Sequence, residues 1–333
     1  MPKKRKKGNQ GKINLSVLVI CIPLLILLQS CAPGKESTLP TEQGRRVDVT
    51  FCRTGNCTHA LAMFLGQTRE YAYCAFYDLD LPEIISLLDE LSATKDIRLY
   101  MDDEYHIPRN YSREDSSAKL MHNKYCVSDD ARIFTGSFNP TSNDAYKNDN
   151  NAIAIESKLL AENYRRNFIA IWEGRPGEGN AVHPKIIYNN ISIENYFCPI
   201  DECEMQIKRE IGSAGSSVYF MAFSFTSQGI ANSLAMQKLN GIEIKGVMEK
   251  KNAGNQSSYP FLEFHGIEAR KDANKYNMHH KVFIIDNKTV ITGSMNPTKN
   301  GNSRNDENIL IIHDKEIAEQ YSTEFFRIWR IAS

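Results

Sequence analysis

The chain has 333 residues, with 40 basic and 40 acidic side chains and a formal net charge of zero. A nucleic-acid-binding protein usually carries a basic footprint, so any basic groove on this chain must be local, and the bulk charge neither demands nor excludes DNA. The length is sufficient for two lobes of roughly 140 residues, each large enough to hold its own hydrophobic core.

The N-terminal segment has the features of a secretory signal. Residues 1–12 contain six basic and no acidic side chains, and Val17 to Leu28 is uninterrupted apolar sequence. That run is short for a membrane-spanning helix, which needs roughly 20 residues. Cys31 follows Leu-Gln-Ser, which resembles a bacterial lipobox and implies that Cys31 is lipidated. Plain secretion and an uncleaved anchor are the alternatives.

We therefore interpret residues 1–31 as a signal peptide with a lipobox. Residues 32–46 are rich in Pro, Gly, Ser, Thr and Glu and are interpreted as a flexible tether. Removal of residues 1–30 would leave 34 basic against 40 acidic residues. The protein is expected to be exported and held at the cell envelope by a lipid anchor, or otherwise secreted.

The cysteines support export to an oxidising compartment. Two C-x4-C pairs recur at an offset of 146 residues: Cys52, Cys57, Cys198 and Cys203. They predict one local disulfide in each half. A four-cysteine zinc site across the halves is the alternative, although the usual C-x2-C spacing is missing. Cys74 and Cys126 lie in predicted strands and are interpreted as buried thiols, or as a third bridge if those strands are neighbours.

Predicted strands and helices alternate along both halves. In the first half the strands are near Val47–Phe51, Tyr71–Phe76, Ile97–Met101 and Ala152–Ile155, and the helices begin near Thr58, Pro82 and Lys158. In the second half the strands are near Glu194–Phe197, Val218–Phe225 and Glu243–Met248, and the helices begin near Glu202 and Gln228. This order predicts an α/β sandwich in each lobe. The lobes are assigned to residues 47–172 and 194–333, with a linker at 173–193.

One motif occurs twice, without a gap, at an offset of 157 residues. Its pattern is H-x-K, four residues, D, six residues, G-S-x-N. The first copy consists of His122, Lys124, Asp129, Ser137 and Asn139, and the second of His279, Lys281, Asp286, Ser294 and Asn296. The match extends to Trp172 and Trp329. The chain is therefore an internal duplication.

The spacing within the motif indicates which side chains act together. His279 and Lys281 are two apart on a predicted strand and therefore share a face. Ser294 and Asn296 have the same spacing. Asp286 has the wrong parity for that face, so we expect it and Asp129 to form hydrogen bonds within the framework.

The residue types suit chemistry on a phosphodiester. Imidazole is a nucleophile and also an acid or base near neutral pH. Lysine, serine and asparagine donors suit phosphoryl oxygens, whose charge must be held in the transition state. Two facing halves supply one histidine to attack phosphorus and one to protonate the leaving alkoxide. The expectation is a two-step reaction through a phosphohistidine, with no metal and no cofactor.

At these residues the sequence resembles the phospholipase D superfamily, whose signature is this motif in two copies. The resemblance covers about the last 285 residues. It implies two similar α/β sandwich lobes related by a pseudo-twofold axis, with one shared active site on that axis. By the same resemblance the two His-Lys-Asp sets are catalytic, and the Ser and Asn residues of the motif bind phosphate.

The halves differ where Glu307 aligns with Asn150. In the superfamily a glutamate at this position pairs with the motif histidine, so the resemblance implies a His279–Glu307 pair. A carboxylate partner favours the charged imidazole that a general acid needs. We therefore expect His279 with Glu307 to be the acid and His122 to be the nucleophile.

Two substrate classes fit these residues. The second half looks like the small single-motif endonucleases of the superfamily, which dimerise to make one site. The chain would then be a fused, monomeric nuclease acting on DNA or RNA. The alternative is a phospholipase D or phosphatidyl transferase acting on phospholipid, which a lipid anchor favours. A non-catalytic lipoprotein with a degenerate site is disfavoured by the intact motifs. The loops 102–119 and 252–276 are expected to rim the pocket.

Overall fold

The computed structural model describes residues 39–333. The proposed signal peptide, Cys31 and the tether up to residue 38 lie outside the described residues. Within residues 39–333, no helix has the length and apolar character needed to cross a membrane.

The first lobe is a seven-stranded sheet with helices on both faces. Its strands are β2 (Asp48–Phe51), β3 (Tyr71–Phe76), β4 (Asp96–Met101), β5 (Ser112–Glu114), β6 (Lys124–Ser128), β7 (Arg132–Gly136) and β8 (Asn151–Glu156). Its helices are α1 (Cys57–Gly66), α2 (Pro82–Ser92), α3 (Ser142–Tyr146) and α4 (Lys158–Trp172), with a 3₁₀ turn at Asp103–Tyr105. The strand order is β2-β8-β7-β6-β3-β4-β5.

The second lobe repeats this arrangement after the short strands β1 (Thr41–Glu42) and β9 (Lys185–Tyr188). Its strands are β10 (Ile191–Cys198), β11 (Ser217–Ala222), β12 (Glu243–Met248), β13 (Glu268–Lys271), β14 (Lys281–Ile285), β15 (Thr289–Gly293) and β16 (Glu307–His313). Its helices are α5 (Cys203–Gly212), α6 (Gln228–Leu239), α7 (Tyr259–Phe264), α8 (Lys299–Ser303) and α9 (Lys315–Trp329). The order β10-β16-β15-β14-β11-β12-β13 matches the first lobe strand for strand. The predicted pair of α/β lobes is confirmed.

The segment between the lobes contains a strand where the sequence predicts only a linker. β9 lies inside the predicted linker 173–193 and forms an antiparallel hairpin with β10, which begins in that linker at Ile191. The turn between them consists of Asn189 and Asn190, with φ of 48° and 67°, which is the backbone that asparagine tolerates in tight hairpin turns. β1 pairs with β9, so the C-terminal part of the predicted tether is also a strand. The linker and tether assignments are corrected accordingly.

A hydrophobic core shared by both lobes holds them together. Tyr125 and Val127 of β6 face this shared core, while Cys126 between them faces a separate core beneath α1 and α2. Phe168 of α4 and Phe325 of α9 belong to the shared core, which therefore contains the apolar face of one helix from each lobe. This burial fixes the two motif strands relative to each other.

The cysteines form three disulfides within residues 39–333. The predicted local bridges Cys52–Cys57 and Cys198–Cys203 are both present, and they take the place of the alternative zinc site. Cys74 and Cys126 also form a bridge, because β3 and β6 are neighbours and pair these two residues directly. Of the two alternatives that the sequence left open for Cys74 and Cys126, the third bridge is present and the free thiols are not.

Gly293 ends β15 where this strand approaches β16 most closely. Its φ is +146°, and an added Cβ would lie 2.2 Å from the Asn308 carbonyl oxygen. We expect Gly293→Ala to reduce the free energy of unfolding by at least about 3 kcal/mol, because backbone strain and overpacking add. Gly241→Ala is the control, since Gly241 has a φ of +86° but no atom near the added Cβ. It should cost only about 1–2 kcal/mol. Equal losses in chemical unfolding would contradict the close approach.

Candidate active site

The motif histidines lie immediately before the two central strands. β6 begins at Lys124 and β14 begins at Lys281, each two residues after its histidine. The Lys124 Nζ donates a hydrogen bond to the His122 carbonyl oxygen at 2.9 Å, and the Lys281 Nζ donates to that of His279 at 2.7 Å. Each half thus holds its ammonium group on the backbone of its own motif histidine.

Reciprocal backbone hydrogen bonds join the two lobes at the histidines. The His122 N–H donates to the Asp306 carbonyl at 3.0 Å, and the His279 N–H donates to the Asp149 carbonyl at 2.8 Å. Each histidine therefore lies beside the next residue of the opposite lobe. His122 lies beside Glu307, and His279 lies beside Asn150. One site is shared by the two lobes.

The observed partner of each histidine differs from the sequence expectation. The His122 Nδ1 lies 2.8 and 2.9 Å from the two Glu307 carboxylate oxygens. The His279 Nδ1 lies 2.9 Å from the Asn150 Oδ1. The expected His279–Glu307 pair was wrong, because Glu307 at the start of β16 and Asn150 immediately before β8 project across the interface and not toward the histidine of their own lobe.

Burial controls the protonation of this pair. It lowers the pKa of His122 well below the ordinary 6.5, and the Lys124 and Lys281 ammonium groups lower it further. Burial also raises the pKa of Glu307 to about 8, against the opposing charge of Lys124. Both shifts oppose a fully charged imidazolium–carboxylate pair. When the His122 Nδ1 donates its proton to the Glu307 carboxylate, the His122 Nε2 presents a lone pair.

The second histidine and the lysines are also shifted. Burial lowers the pKa of His279 to about 4, with Lys281 contributing in the same direction and Asp144 opposing it. Burial lowers the pKa of Lys124 to about 8 and that of Lys281 well below 10.5. Both histidine side chains remain slightly exposed, at 10%, so a substrate can reach them.

The motif serines hold the histidine partners in place. The Ser294 Oγ donates to the Glu307 Oε2 at 2.7 Å and accepts from the Asn308 N–H at 3.0 Å. The Ser137 Oγ donates to the Asn150 Oδ1 at 3.0 Å and accepts from the Asn151 N–H at 3.1 Å. The sequence predicted that these hydroxyls bind phosphate, whereas in the structure both are fully buried and committed to protein groups. They are positioning residues.

The two motif asparagines differ in their availability. The Asn139 Nδ2 donates to the Asp144 Oδ2 at 2.9 Å. Within the described chain, the Asn296 side chain forms no hydrogen bond with protein, and its Oδ1 is buried without a partner. The Asn296 Nδ2 thus has no acceptor among the described residues, and phosphate binding by Asn296 stays a prediction. Phosphate binding by Asn139 stays a prediction, and it would compete with the contact to Asp144.

The motif aspartates lie at the opposite ends of the strands from the histidines. Asp129 and Asp286 adopt left-handed backbones, with φ of 57° and 54°. The Asp129 carboxylate accepts backbone N–H groups from residues 69–71, and the Asp286 carboxylate accepts those of 215–217. The expected framework role agrees with these bonds. Their inclusion in the catalytic set is corrected, because a five-residue strand separates them from the histidines by roughly 17 Å.

Sequence reasoning missed two aromatic rings beside the histidines. Tyr77 and Phe223 follow β3 and β11, and their ring centroids lie 5.0 and 4.6 Å from those of His122 and His279. The Lys124 and Lys281 ammonium groups lie 5.1 and 5.0 Å from these rings, within the range of a cation–π contact. The rings recur at an offset of 146, like the cysteine pairs, which is the signal that identifies them.

Sequence reasoning also missed Asp144 of α3. Its Oδ2 lies 3.4 Å from the His279 Nδ1, and the residue is almost fully buried. Although burial opposes ionisation, the charge and hydrogen bond of His279 hold the Asp144 pKa below its ordinary value. The available signal is that position 144 aligns with Gly301, so that an acidic residue occurs in one half only.

Comparisons with known proteins agree with this geometry. The family model described as cardiolipin synthase, PLD-like domain, matches residues 83–172 and 207–329. The chain is 32% identical to a phospholipase D of Rickettsia felis over 149 residues, covering 41% of this chain and 72% of the relative. The chain belongs to the phospholipase D superfamily. It is therefore a phosphodiesterase, a hydrolase of phosphoric diesters.

Two further relatives show the range of the superfamily. The chain is 33% identical to the mouse mitochondrial cardiolipin hydrolase over 125 residues, covering 37% of this chain and 57% of the relative. The crystal structure of phosphatidylserine synthase from Haemophilus influenzae matches with a TM-score of 0.67 at 12% identity and covers 86% of each chain. That likeness shows the two-lobe fold alone.

The serine contacts predict an unequal effect of two equivalent substitutions. Ser294→Ala removes a donor from Glu307 and should lower kcat roughly 10-fold with little change in KM, as expected for loss of a supporting hydrogen bond. Ser137→Ala is the matched variant and should lower kcat less, because it releases only the neutral Asn150. Steady-state kinetics on bis-p-nitrophenyl phosphate measures both. A rise in KM with unchanged kcat in both variants would instead mean that the serines bind phosphate directly.

Proposed function

We propose that this phospholipase D-like phosphodiesterase is an exported nuclease. It cleaves DNA or RNA without requiring a metal ion, through a phosphohistidine intermediate. The observation that carries the nucleic-acid assignment is a mixed basic and aromatic surface beside His279. We call it the basic rim, and it consists of Lys147, Lys251, Lys275 and Tyr276.

The basic rim is built around the Tyr276 ring. The Lys147 and Lys275 ammonium groups lie 5.4 and 5.9 Å from its centroid. The Lys251 Nζ donates to the Asn277 Oδ1 at 2.9 Å, two residues before His279. Lys251, Lys275 and the Tyr276 ring are exposed, and Lys147 is half-buried. Lysines next to an exposed aromatic ring suit a single strand, whose phosphates need positive charge and whose bases stack on π-faces. The rim supplies the local basic groove that a neutral chain requires.

The histidine geometry supports a defined division of roles. The His122 Nδ1 faces the Glu307 carboxylate, so the His122 Nε2 is free to attack phosphorus. As this N–P bond forms, the bond to the leaving oxygen breaks, and His279 donates a proton to that oxygen. His279 then takes a proton from water, which displaces His122 from phosphorus. Lys124 and Lys281 stabilise the negative charge of the phosphoryl oxygens. Glu307 thus supports the nucleophile and not the acid.

Export and a monomeric state belong to the same proposal. Three disulfides within residues 39–333 support an oxidising compartment. The N-terminal basic and apolar segments support passage to the cell envelope, with an anchor through Cys31. Both halves of the site come from one chain, which supports a monomer as the active unit.

Phospholipid is the second candidate substrate. The phospholipase D of Rickettsia felis and the mouse mitochondrial cardiolipin hydrolase are named for phospholipid hydrolysis. A lipid anchor would hold the site beside a membrane. An anionic headgroup would be attracted by the lysines of the basic rim, but it has no base to stack on the Tyr276 ring.

The substrate is tested with purified full-length protein in EDTA, with wild type and His122→Asn side by side. Single-stranded DNA, single-stranded RNA, double-stranded DNA and vesicles of phosphatidylcholine with cardiolipin are offered in parallel. We expect nucleic-acid cleavage in EDTA that is lost in the variant. Lipid hydrolysis with intact nucleic acid would reverse the assignment, and cleavage only after a metal is added would refute the metal-independent mechanism.

The basic rim is tested by neutralising two of its lysines. Lys251→Gln with Lys275→Gln should weaken single-stranded DNA binding and reduce the slope of log K against log salt by about 1.4, since each phosphate contact contributes about 0.7. The control pair is Lys158→Gln with Lys288→Gln, which removes the same charge from exposed positions outside the rim. Equal effects of the two pairs on binding would show that net charge, and not the rim, attracts the substrate.

The histidine roles are tested with a leaving group that needs no proton. With bis-p-nitrophenyl phosphate, His279→Asn should release one burst of p-nitrophenol per site and then stop, because attack remains possible while hydrolysis of the intermediate does not. His122→Asn should show no burst. Protein from the His279→Asn reaction, quenched in alkaline denaturant, should carry a p-nitrophenyl phosphoryl group on His122. A burst in His122→Asn and none in His279→Asn would exchange the two roles.

A further inference from the structure

The two halves carry one acidic residue each beside the site, but at different positions. The first half has Asp144 and Asn150, and the second half has Gly301 and Glu307 at the equivalent positions. Position 144 lies on α3, whereas Asn150 immediately precedes β8. The acidic group of the first half is thus displaced from the strand to a neighbouring helix.

Asp144 is held in a fixed orientation toward the acid histidine. Its Oδ2 accepts hydrogen bonds from the Asn139 N–H and Nδ2, both at 2.9 Å, and its Oδ1 accepts from the Asn148 Nδ2 at 2.6 Å. The same Oδ2 lies 3.4 Å from the His279 Nδ1. These donors fix the carboxylate, so its negative charge acts on one ring nitrogen.

The charges around His279 show why a carboxylate is needed there. Lys281 of its own strand and Lys124 of the opposite lobe both disfavour a charged imidazole. His122 and Glu307 face it across the site, and Glu307 is committed to His122. Asn150, the direct partner of His279, is neutral. Asp144 supplies the negative charge that Asn150 lacks.

We propose that Asp144 is the carboxylate partner of His279 and has replaced the acidic residue missing at position 150. This inference rests on the proposed role of His279 as the general acid. Asp144 does not touch substrate. It is a positioning residue that orients His279 through Nδ1 and stabilises the imidazolium from which Nε2 gives its proton to the leaving oxygen.

The first test is Asp144→Asn, with Asp80→Asn as the control. The Asp80 carboxylate also anchors α3, by accepting the Ser142 N–H, so its loss tests the helix without removing charge at His279. With a phosphodiester that has an alkoxide leaving group, Asp144→Asn should lower kcat roughly 10- to 100-fold. In the profile of kcat against pH, the basic limb should move to lower pH by about one unit, because the His279 imidazolium loses its carboxylate partner. The p-nitrophenol burst should persist, which counts the folded, competent sites. Asp80→Asn should change none of these.

The decisive test moves the acidic residue of the first half to the position that the acidic residue has in the second half. Asp144→Gly alone should lose activity, and Asp144→Gly with Asn150→Glu should recover most of it, because the acidic residue then occupies the position of Glu307. Rates are normalised to the burst in each variant. Recovery no greater than that of the single variant, or an unchanged basic limb in Asp144→Asn, would overturn the proposal.

The pKa of His279, measured without catalysis, separates this inference from the proposed function. The His279 ring is titrated by ¹H–¹⁵N NMR in wild type and in Asp144→Asn, with His279→Asn to assign the signal. A lower His279 pKa in Asp144→Asn is expected, because the negative charge is removed. An unchanged pKa would refute the partnership itself. A lowered pKa with unchanged rates would refute the role of His279 as the acid.

Discussion

The site depends on two reciprocal backbone hydrogen bonds, from His122 to the Asp306 carbonyl and from His279 to the Asp149 carbonyl. They fix each imidazole against the opposite lobe, so neither lobe contains a complete site. Side-chain contacts follow from this register, since the next residue along each strand meets the histidine of the other half. The shared apolar core supplies the rigidity that keeps these short contacts in place.

The negative charge of a bound phosphodiester balances the positive charge of the lysines in the site. Two buried ammonium groups and two buried acidic residues lie within one enclosed cluster, and burial shifts the pKa of Lys124 and Glu307 toward their neutral forms. Desolvated lysines cost free energy that an anionic phosphoryl group offsets on binding. The hydrogen bonds from the lysines to carbonyl oxygens hold the cations in place before substrate arrives, which limits reorganisation during the reaction.

Most of the fold was predictable from the sequence because it repeats. The offset of 157 identified the duplication, and the helices Lys158–Trp172 and Gln228–Leu239 begin at the predicted residues. The partner of each histidine was not predictable, because strand parity gives the face of a side chain but not the lobe that it meets. The Asn189-Asn190 hairpin and the Cys74–Cys126 bridge depend on turn geometry and on which strands are neighbours.

The asymmetry of the site follows from the fusion of its halves. In a homodimer with an isologous interface, one substitution changes both copies of a residue at once. A change of Glu to Asn at the histidine partner would then remove both carboxylates together. In a single chain, Asn150 and Glu307 vary separately, and Asp144 can compensate in one half without a clash at Gly301 in the other. The fused arrangement therefore permits the nucleophile and the acid to acquire different partners. Glu307 contacts His122 through both carboxylate oxygens, whereas Asp144 is held 3.4 Å from His279 by the neighbouring helix α3. Glu307 can then support a histidine that keeps its Nδ1 proton while it attacks, and Asp144 can support a histidine that donates a proton.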